Sequence, residues 1–135
     1  MIEGGCHCGA IRYRISADRV TGGQCHCRAC QRYSGGGPNL FALIEPDAFT
    51  YTKGTPKRFA HPDLPDAVTR SFCGNCGTLI ATSRPDRPEL VLRVGTLNDP
   101  SIFKGPRFAI FIEQGQSFHL IPEGMPTFET LPPGA

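Results

Sequence analysis

Seven cysteines in three short clusters limit the folds and environments open to this 135-residue chain. The clusters are Cys6 and Cys8 in "GGCHCGA", Cys25, Cys27 and Cys30 in "QCHCRACQ", and Cys73 and Cys76 in "FCGNCGT". An odd number cannot all pair, and Cys-x-Cys neighbours are poorly placed to bridge each other. The N-terminus lacks the basic and apolar regions of a secretory signal. We therefore expect a cytoplasmic protein whose cysteines stay as thiols or bind metal, with disulfides as the competing interpretation.

Four of the cysteines predict a closed zinc site. Cys73-x-x-Cys76 followed by Gly is typical of a zinc knuckle, in which a tight turn aims two sulfurs at one ion. Cys6 and Cys8 are also followed by Gly, and two positions apart in an extended segment their sulfurs fall on the same side. Together the two pairs supply the four ligands of a structural zinc. The rival arrangement joins the knuckle to the middle cluster and separates the remaining three cysteines.

The middle cluster predicts a second zinc site with a free position. Cys25, Cys27 and Cys30 can hold one ion as a tripod, and three protein ligands with an exchangeable fourth are typical of catalytic zinc. Three thiolates weaken zinc as an activator of water but suit it to hold an incoming thiolate. The predicted chemistry is attack of a zinc-bound small thiol on an electrophile. Two alternatives stay open: a His as fourth ligand would make the site structural, and the cluster without metal would be a redox thiol centre.

Three polar residues beside the tripod are candidates for binding the substrate. Arg28, Gln31 and Arg32 flank its last cysteine, and an anionic thiol would need cationic or amide partners near the metal. The histidines are expected to have ordinary places: His7 and His26 pointing away from the metal, His61 and His119 in the surface or core.

Glycine and proline indicate an all-β fold. They number 16 and 13, which interrupts the chain too often for long helices and favours short strands. "AIRYRIS" (10–16) alternates apolar residues with arginines, as a half-buried strand does. Only Arg28–Ser34 has the pattern of a helical turn. We expect antiparallel sheets in a single domain of residues 1–135, with the cysteines at strand ends and turns. The other predicted strands are 39–45, 48–53, 57–61, 68–72, 78–83, 89–97, 107–113 and 117–121.

Charge and hydropathy argue against two classes of partner. The formal net charge of +2 and the absence of a Lys/Arg run do not favour nucleic acid. No stretch approaches the roughly 20 apolar residues that cross a bilayer, so no membrane is expected. These features leave the oligomeric state open.

The three clusters, in this order, resemble the glutathione-dependent formaldehyde-activating enzyme (Gfa-like) family, which includes centromere protein V relatives. The stretches that carry the resemblance are "GGCHCGAIRY", "CHCRACQRYSG", "FCGNCGTLIA" and "LVLRVGTLNDP". It covers about residues 3–130 and implies an Mss4-like fold, a structural zinc on the first and last cysteine pairs, and a second zinc on the middle cluster. It also implies condensation of glutathione with formaldehyde to S-(hydroxymethyl)glutathione, classed as a carbon–sulfur lyase activity in the cleavage direction.

The C-terminal third departs from the family pattern. Members often carry a His before an apolar strand and then a Ser-Lys-x-Pro-Trp-like stretch, whereas this chain reads "FAIFIEQGQSFHLI" and has no Trp. Ala109 stands where that His would fall, and Gln116–Phe118 replace the Lys-to-Trp portion. The thiol or the electrophile could therefore differ. A zinc-stabilised thiol-binding module without turnover and a protein-interaction module are the alternative functions.

Overall fold

The computed structural model describes residues 1–134 and is mostly β-structure, with 36% of the chain in strands and 14% in helices. The all-β expectation is confirmed. The helix α1, predicted as a single turn, runs Arg28–Ser34. The strands are β1 (Ile2–Gly5), β2 (Arg12–Ile15), β3 (Gly22–Cys25), β4 (Asn39–Ile44), β5 (Phe49–Lys53), β6 (Lys57–Ala60), β7 (Thr69–Phe72), β8 (Leu79–Arg84), β9 (Arg87–Arg93) and β10 (Ala109–Ile110).

The chain divides into two compact units, each made of two stretches of sequence. The first unit contains Met1–Val20 and Ala42–Phe103, and the second contains Thr21–Phe41 and Lys104–Ala135. The sequence-based expectation of one domain over residues 1–135 stays a prediction.

The first unit is built from antiparallel strands. β2 lies between β1 and β5, and β6, β7, β8 and β9 pair in sequence order. The alternation predicted around β2 is present, because Tyr13 and Ile15 are fully buried whereas Arg14 is exposed. Two cysteines of this unit also belong to its core, so the predicted zinc site and the apolar interior are continuous. The buried members of the core are Ile2, Cys6, Ile11, Tyr13, Ile15, Val20, Ala42, Ile44, Cys73, Ile80, Ala81, Leu92, Val94 and Leu97.

The second unit places the middle cysteines beside a parallel strand pair. β3 pairs with β10 in parallel, with Gln24 opposite Ala109 and Cys25 opposite Ile110. This pair is parallel, whereas the strand pairs described in the first unit are antiparallel, as expected from the sequence. Every residue of β3 is buried, and a side chain at Gly23 would come within 2.7 Å of the Phe108 carbonyl oxygen. Glycine is therefore required by close packing at this point of the strand.

Several predicted strands are shorter than expected or absent. The strand expected at 107–113 is limited to β10, and a 3₁₀ turn at Ile112–Gln114 follows it. The segment 89–97 ends as a strand at Arg93 and continues as a 3₁₀ turn. The segment 117–121 forms no strand, because it bends so that His119 packs inward while Phe118 and Leu120 face solvent. Among residues 1–134, no helix is long and apolar enough to span a membrane.

Candidate metal centres

The four-cysteine cluster, Cys6, Cys8, Cys73 and Cys76, has its sulfur atoms within 4.8 Å of one another. The Sγ atom of Cys8 lies 3.7 Å from that of Cys6 and 3.8 Å from that of Cys73, and all four cysteines are free thiols. A disulfide would bring two sulfurs to about 2 Å. A tetrahedral zinc ion with Zn–S bonds of about 2.3 Å separates its sulfurs by about 3.8 Å. The residues present therefore fit a four-thiolate zinc site.

The Cys73–Cys76 turn has the hydrogen bonds expected of a zinc knuckle. The backbone N–H groups of Asn75 and Cys76 donate to Cys73 Sγ at 3.4 and 3.5 Å. Gly77 has a φ of 80°, a left-handed conformation that favours glycine, and its N–H donates to the Cys73 carbonyl at 2.9 Å. The Gly that follows the second Cys in the sequence is thus explained by backbone conformation.

The Cys6–Cys8 turn repeats this arrangement. Gly9 has a φ of 85° and its N–H donates to the Cys6 carbonyl at 3.3 Å, while the Ile11 N–H donates to Cys6 Sγ at 3.2 Å. His7, between the two cysteines, is exposed, and its backbone N–H donates to the Thr78 hydroxyl at 3.2 Å. Donors aimed at sulfur favour the thiolate over the thiol.

Polar neighbours stabilise negative charge on the exposed half of this cluster. The Thr78 hydroxyl lies 3.2 Å from Cys76 Sγ, and this contact is the largest cause of a Cys76 pKa lowered to about 5. The Asn75 side-chain amide donates to Cys8 Sγ at 3.2 Å. At Cys76, the deprotonated form that a metal requires is therefore favoured at neutral pH.

The three-cysteine cluster, Cys25, Cys27 and Cys30, also has its sulfur atoms within 4.8 Å of one another. Cys25 ends β3, Cys27 is the N-cap of α1, and Cys30 lies in its first turn, where its N–H donates to Cys27 Sγ at 3.3 Å. A sulfur at the N-cap replaces the oxygen that usually accepts this bond. No fourth Cys, His, Asp or Glu of residues 1–134 joins the cluster. The sequence-based division of the cysteines into four and three thus agrees with the structure.

The closeness of the sulfurs in this cluster disfavours ionisation of all three together unless a cation is bound. Hydrogen bonds from Cys27 and Cys30 raise the pKa of Cys25, and burial raises it further, since only 6% of this residue is exposed. Like charges at such separations disfavour ionisation, and a bound cation reverses the effect. Three soft sulfur donors with a partly exposed face fit a zinc ion that keeps one position for a ligand.

Gln31 occupies the buried centre of a hydrogen-bond network on α1. Its Nε2 donates to the carbonyls of His26 and Gln114 at 2.7 and 2.9 Å. Its Oε1 accepts from Arg28 Nη1 at 2.6 Å and from Gln116 Nε2 at 3.2 Å. Only 2% of the residue is exposed, so the side chain is engaged within the protein. Its predicted role as a substrate ligand stays a prediction.

The two arginines predicted at the substrate lie on the surface of α1. Arg28 and Arg32 are both exposed and four positions apart, so they lie on the same helix face. The Arg28 backbone N–H donates to Gln114 Oε1 at 2.8 Å. A cationic surface therefore adjoins the three-cysteine cluster.

Two histidines for which ordinary places were expected contact each other, His26 fully buried and His119 partly buried. His26 Nδ1 lies 2.9 Å from His119 Nδ1, and His26 Nε2 lies 2.8 Å from Gln24 Nε2. His26 is fully buried, and burial followed by the charge of His119 lowers its pKa. Both ring nitrogens of His26 are engaged by protein groups other than the cysteines. No sequence signal links these residues, because 93 positions separate them. His61 lies exposed, with its ring beside Phe59.

The departures from the family pattern lie in the second unit. Ala109 is fully buried in β10, where it pairs with Gln24, and its N–H donates to the Pro126 carbonyl at 3.0 Å. Gln116 contacts Gln31, whereas Phe118 is 69% exposed. The C-terminal segment of this chain therefore contributes polar contacts next to the three-cysteine cluster.

Comparisons with known proteins agree with this geometry. The sequence profile of the family described as "GFA: Glutathione-dependent formaldehyde-activating enzyme" matches residues 1–114. A protein of Halomonas elongata, provisionally named a glutathione-dependent formaldehyde-activating enzyme, is 28% identical over 111 residues, which cover 78% of this chain and 71% of that protein. The crystal structure of a Rhodobacter sphaeroides protein matches with a TM-score of 0.57 at 17% identity, over 93% of this chain and 98% of that one. This last likeness concerns the fold alone.

Proposed function

The chain belongs to the glutathione-dependent formaldehyde-activating enzyme family, and from this premise we propose that it joins a small thiol, glutathione, to formaldehyde. The thiol sulfur bonds to the carbonyl carbon, and the thiol proton ends on the carbonyl oxygen, giving S-(hydroxymethyl)glutathione. The reverse reaction cleaves this carbon–sulfur bond, which makes the enzyme a carbon–sulfur lyase. The proposal is carried by the three-cysteine cluster, which has three convergent thiols and no fourth ligand side chain among residues 1–134.

We propose two zinc ions per chain, one in each cluster. The four-cysteine cluster would be a closed site that stabilises its unit, because metal binding free energy adds to folding free energy. In the three-cysteine cluster, zinc would hold the substrate sulfur as a thiolate at neutral pH, where a free thiol of pKa about 8.5 is mostly protonated. Protein prepared in excess zinc without chelator should carry two zinc ions, and the Cys27→Ser variant one. One zinc in both proteins would remove the second site from the proposal.

Arg28 and Arg32 would orient the substrate through its carboxylates. Glutathione has two carboxylates, and an arginine can bind each through two parallel N–H donors. Gln31 holds the Arg28 guanidinium by accepting from Nη1 at 2.6 Å, which leaves its other donors for a ligand. Fixing the tripeptide beside the three-cysteine cluster would raise the effective concentration of its sulfur at the carbonyl carbon.

The reaction is testable by nuclear magnetic resonance exchange between glutathione and its hydroxymethyl adduct, with ¹³C-labelled formaldehyde. We expect the exchange rate to rise in proportion to enzyme concentration above the spontaneous rate, and to return to the spontaneous rate with Cys27→Ser. Arg32→Ala should weaken the response to glutathione while leaving that to 2-mercaptoethanol, which has no carboxylate, unchanged. Zinc-loaded wild-type protein that gives only the spontaneous rate would contradict the proposed activity.

The absence of disulfides among the seven cysteines, all of which the structure describes, favours a reducing compartment. Thiols that must stay reduced to bind metal require a reducing environment. We propose that the protein acts in the cytoplasm, where glutathione is also abundant in its reduced form.

A further inference from the structure

Each polar atom of His26 contacts another group of the protein. Its backbone N–H donates to the Ile110 carbonyl at 3.0 Å, and its carbonyl accepts from Gln31 Nε2 at 2.7 Å. Its ring contacts Gln24 on one side and His119 on the other. Because this residue separates Cys25 from Cys27, its position sets the direction of the two flanking sulfurs.

The contacts of His119 define the tautomers of both imidazoles. The Gly36 carbonyl can only accept, so His119 Nε2, at 2.8 Å from it, carries a proton. His119 Nδ1 accepts from the Gln116 N–H at 3.2 Å and therefore lacks a proton. His26 Nδ1, at 2.9 Å, must donate to it, which leaves His26 Nε2 to accept from Gln24. The result is a continuous donor chain from Gln24 through both rings to the loop after α1.

The segment 114–120 turns two glutamines and His119 inward and two apolar side chains outward. Gln114 and Gln116 contact α1 as His119 contacts His26, whereas Phe118 and Leu120 are 69% and 85% exposed. An ordinary surface segment has the opposite pattern. The inward face is therefore built for hydrogen bonding to the elements around the three-cysteine cluster.

We propose that His119 is a positioning residue for the three-cysteine cluster, and this inference rests on the proposed function in taking that cluster as the thiol-binding metal site. Through His26 it fixes the residue between two sulfurs, and through Gly36 it fixes the loop that follows α1, the helix that Cys27 caps and that contains Cys30. Outer partners that orient the groups around a metal typically change its affinity by 10–100-fold when they are removed. His119 holds this place from a segment far away in sequence.

The test compares two variants of His119 with a matched neighbour. His119→Ala leaves the His26 Nδ1–H and the Gly36 carbonyl without their partner. His119→Gln supplies a carbonyl oxygen and an N–H donor on one side chain, and is the conservative rescue. Leu120→Ala removes an exposed side chain in the same segment and is the control. Cobalt(II) affinity is measured by chelator competition on protein whose four-cysteine cluster is filled with zinc, using the thiolate-to-cobalt absorption.

We expect His119→Ala to weaken cobalt binding by about tenfold or more, His119→Gln to recover most of the affinity, and Leu120→Ala to leave it unchanged. Wild-type affinity in His119→Ala, or an equal loss in Leu120→Ala, overturns the inference. Should His119→Ala fail to fold, ¹⁵N spectra of the wild-type protein decide, because the inference requires protons on His26 Nδ1 and His119 Nε2. Any other neutral tautomer pair overturns it.

The outcome is separable from that of the proposed function. Cobalt affinity and imidazole tautomers can be measured without turnover. If the wild-type protein fails to accelerate adduct exchange but His119→Ala binds cobalt more weakly, the activity is refuted and the inference is supported. An active protein whose His119→Ala variant binds cobalt normally refutes the inference and supports the activity.

Discussion

Replacing Gln31 by Leu separates a positioning role for this residue from a substrate-binding one. Leu has similar size and is apolar, so the packing volume is nearly kept while four hydrogen bonds are lost. Two of them run from Nε2 to the carbonyls of His26, which is buried, and of Gln114, which is partly buried. The other two partners, Arg28 and Gln116, can turn to solvent more readily because neither is buried.

The expected cost comes chiefly from the two carbonyls. A polar group left buried without its partner costs about 1–3 kcal/mol. Discounting for the second lone pair of each carbonyl, we expect Gln31→Leu to lower the free energy of unfolding by about 2–4 kcal/mol. For a chain of this size, that corresponds to a Tm lowered by roughly 7–14 °C. This is a large part of the roughly 5–15 kcal/mol that stabilises a typical domain.

Urea unfolding and thermal melting of the zinc-loaded proteins would measure the change, with Arg32→Ala as the control. Arg32 is exposed on the same helix, so its replacement should change stability by less than about 0.5 kcal/mol. A Gln31→Leu variant that is as stable as wild type but binds glutathione weakly would show that the hydrogen bonds of Gln31 do not stabilise the fold. In that case the side chain would be a substrate ligand, as the sequence suggested.

Two further predictions concern the first unit. A Cβ at Gly4 would lie 2.3 Å from both the Thr96 carbonyl oxygen and the Tyr13 hydroxyl, so Gly4→Ala should destabilise the protein by about 3 kcal/mol or abolish folding. A Cβ at Gly95 would have nothing within 4 Å, so the control Gly95→Ala should melt near the wild-type temperature. Equal melting temperatures of the two variants would contradict the close packing at Gly4. Burial raises the Tyr13 pKa to about 12 from an ordinary value of 10.0. The folded state favours the neutral phenol, so this contribution is complete below pH 10 and is lost as pH rises through 12. The free energy of unfolding of the wild type should therefore fall by about 3 kcal/mol over this range, and that of Tyr13→Phe should not. Parallel pH profiles of the two proteins in urea unfolding would argue against a raised Tyr13 pKa.

The division of the cysteines could be predicted because it depends on short-range geometry. A Cys-x-x-Cys turn and a Cys-x-Cys pair each constrain their own sulfurs. Only one pairing of the clusters leaves three cysteines that are close together in the sequence, Cys25, Cys27 and Cys30. The structure adds the reason for the glycines: Gly9 and Gly77 adopt left-handed conformations after the second cysteine of each pair. The helix Arg28–Ser34 was also predictable, since the glycines after it end it with an αL cap at Gly35.

The strands β1 and β3 were missed because glycine is a poor strand former when it is judged locally. In the structure, Gly4 faces Tyr13 across β1 and β2, and Gly23 packs against Phe108. These close approaches are tertiary facts that a local pattern does not contain. The strand predicted at 117–121 is absent for a similar reason. The position of His119 depends on its contact with His26, which follows β3, and not on the alternation of its neighbours.

Whether the three-cysteine cluster binds a substrate thiol at its metal is measured most directly by the absorption spectrum of the cobalt-substituted protein as glutathione is added. We expect the thiolate-to-cobalt bands to change saturably in wild type, because the three-cysteine cluster accepts one more sulfur. We expect no change in Cys27→Ser, in which only the closed four-cysteine cluster retains metal. A wild-type spectrum that glutathione leaves unaltered, with two cobalt ions bound, would show that the three-cysteine cluster does not bind the substrate thiol.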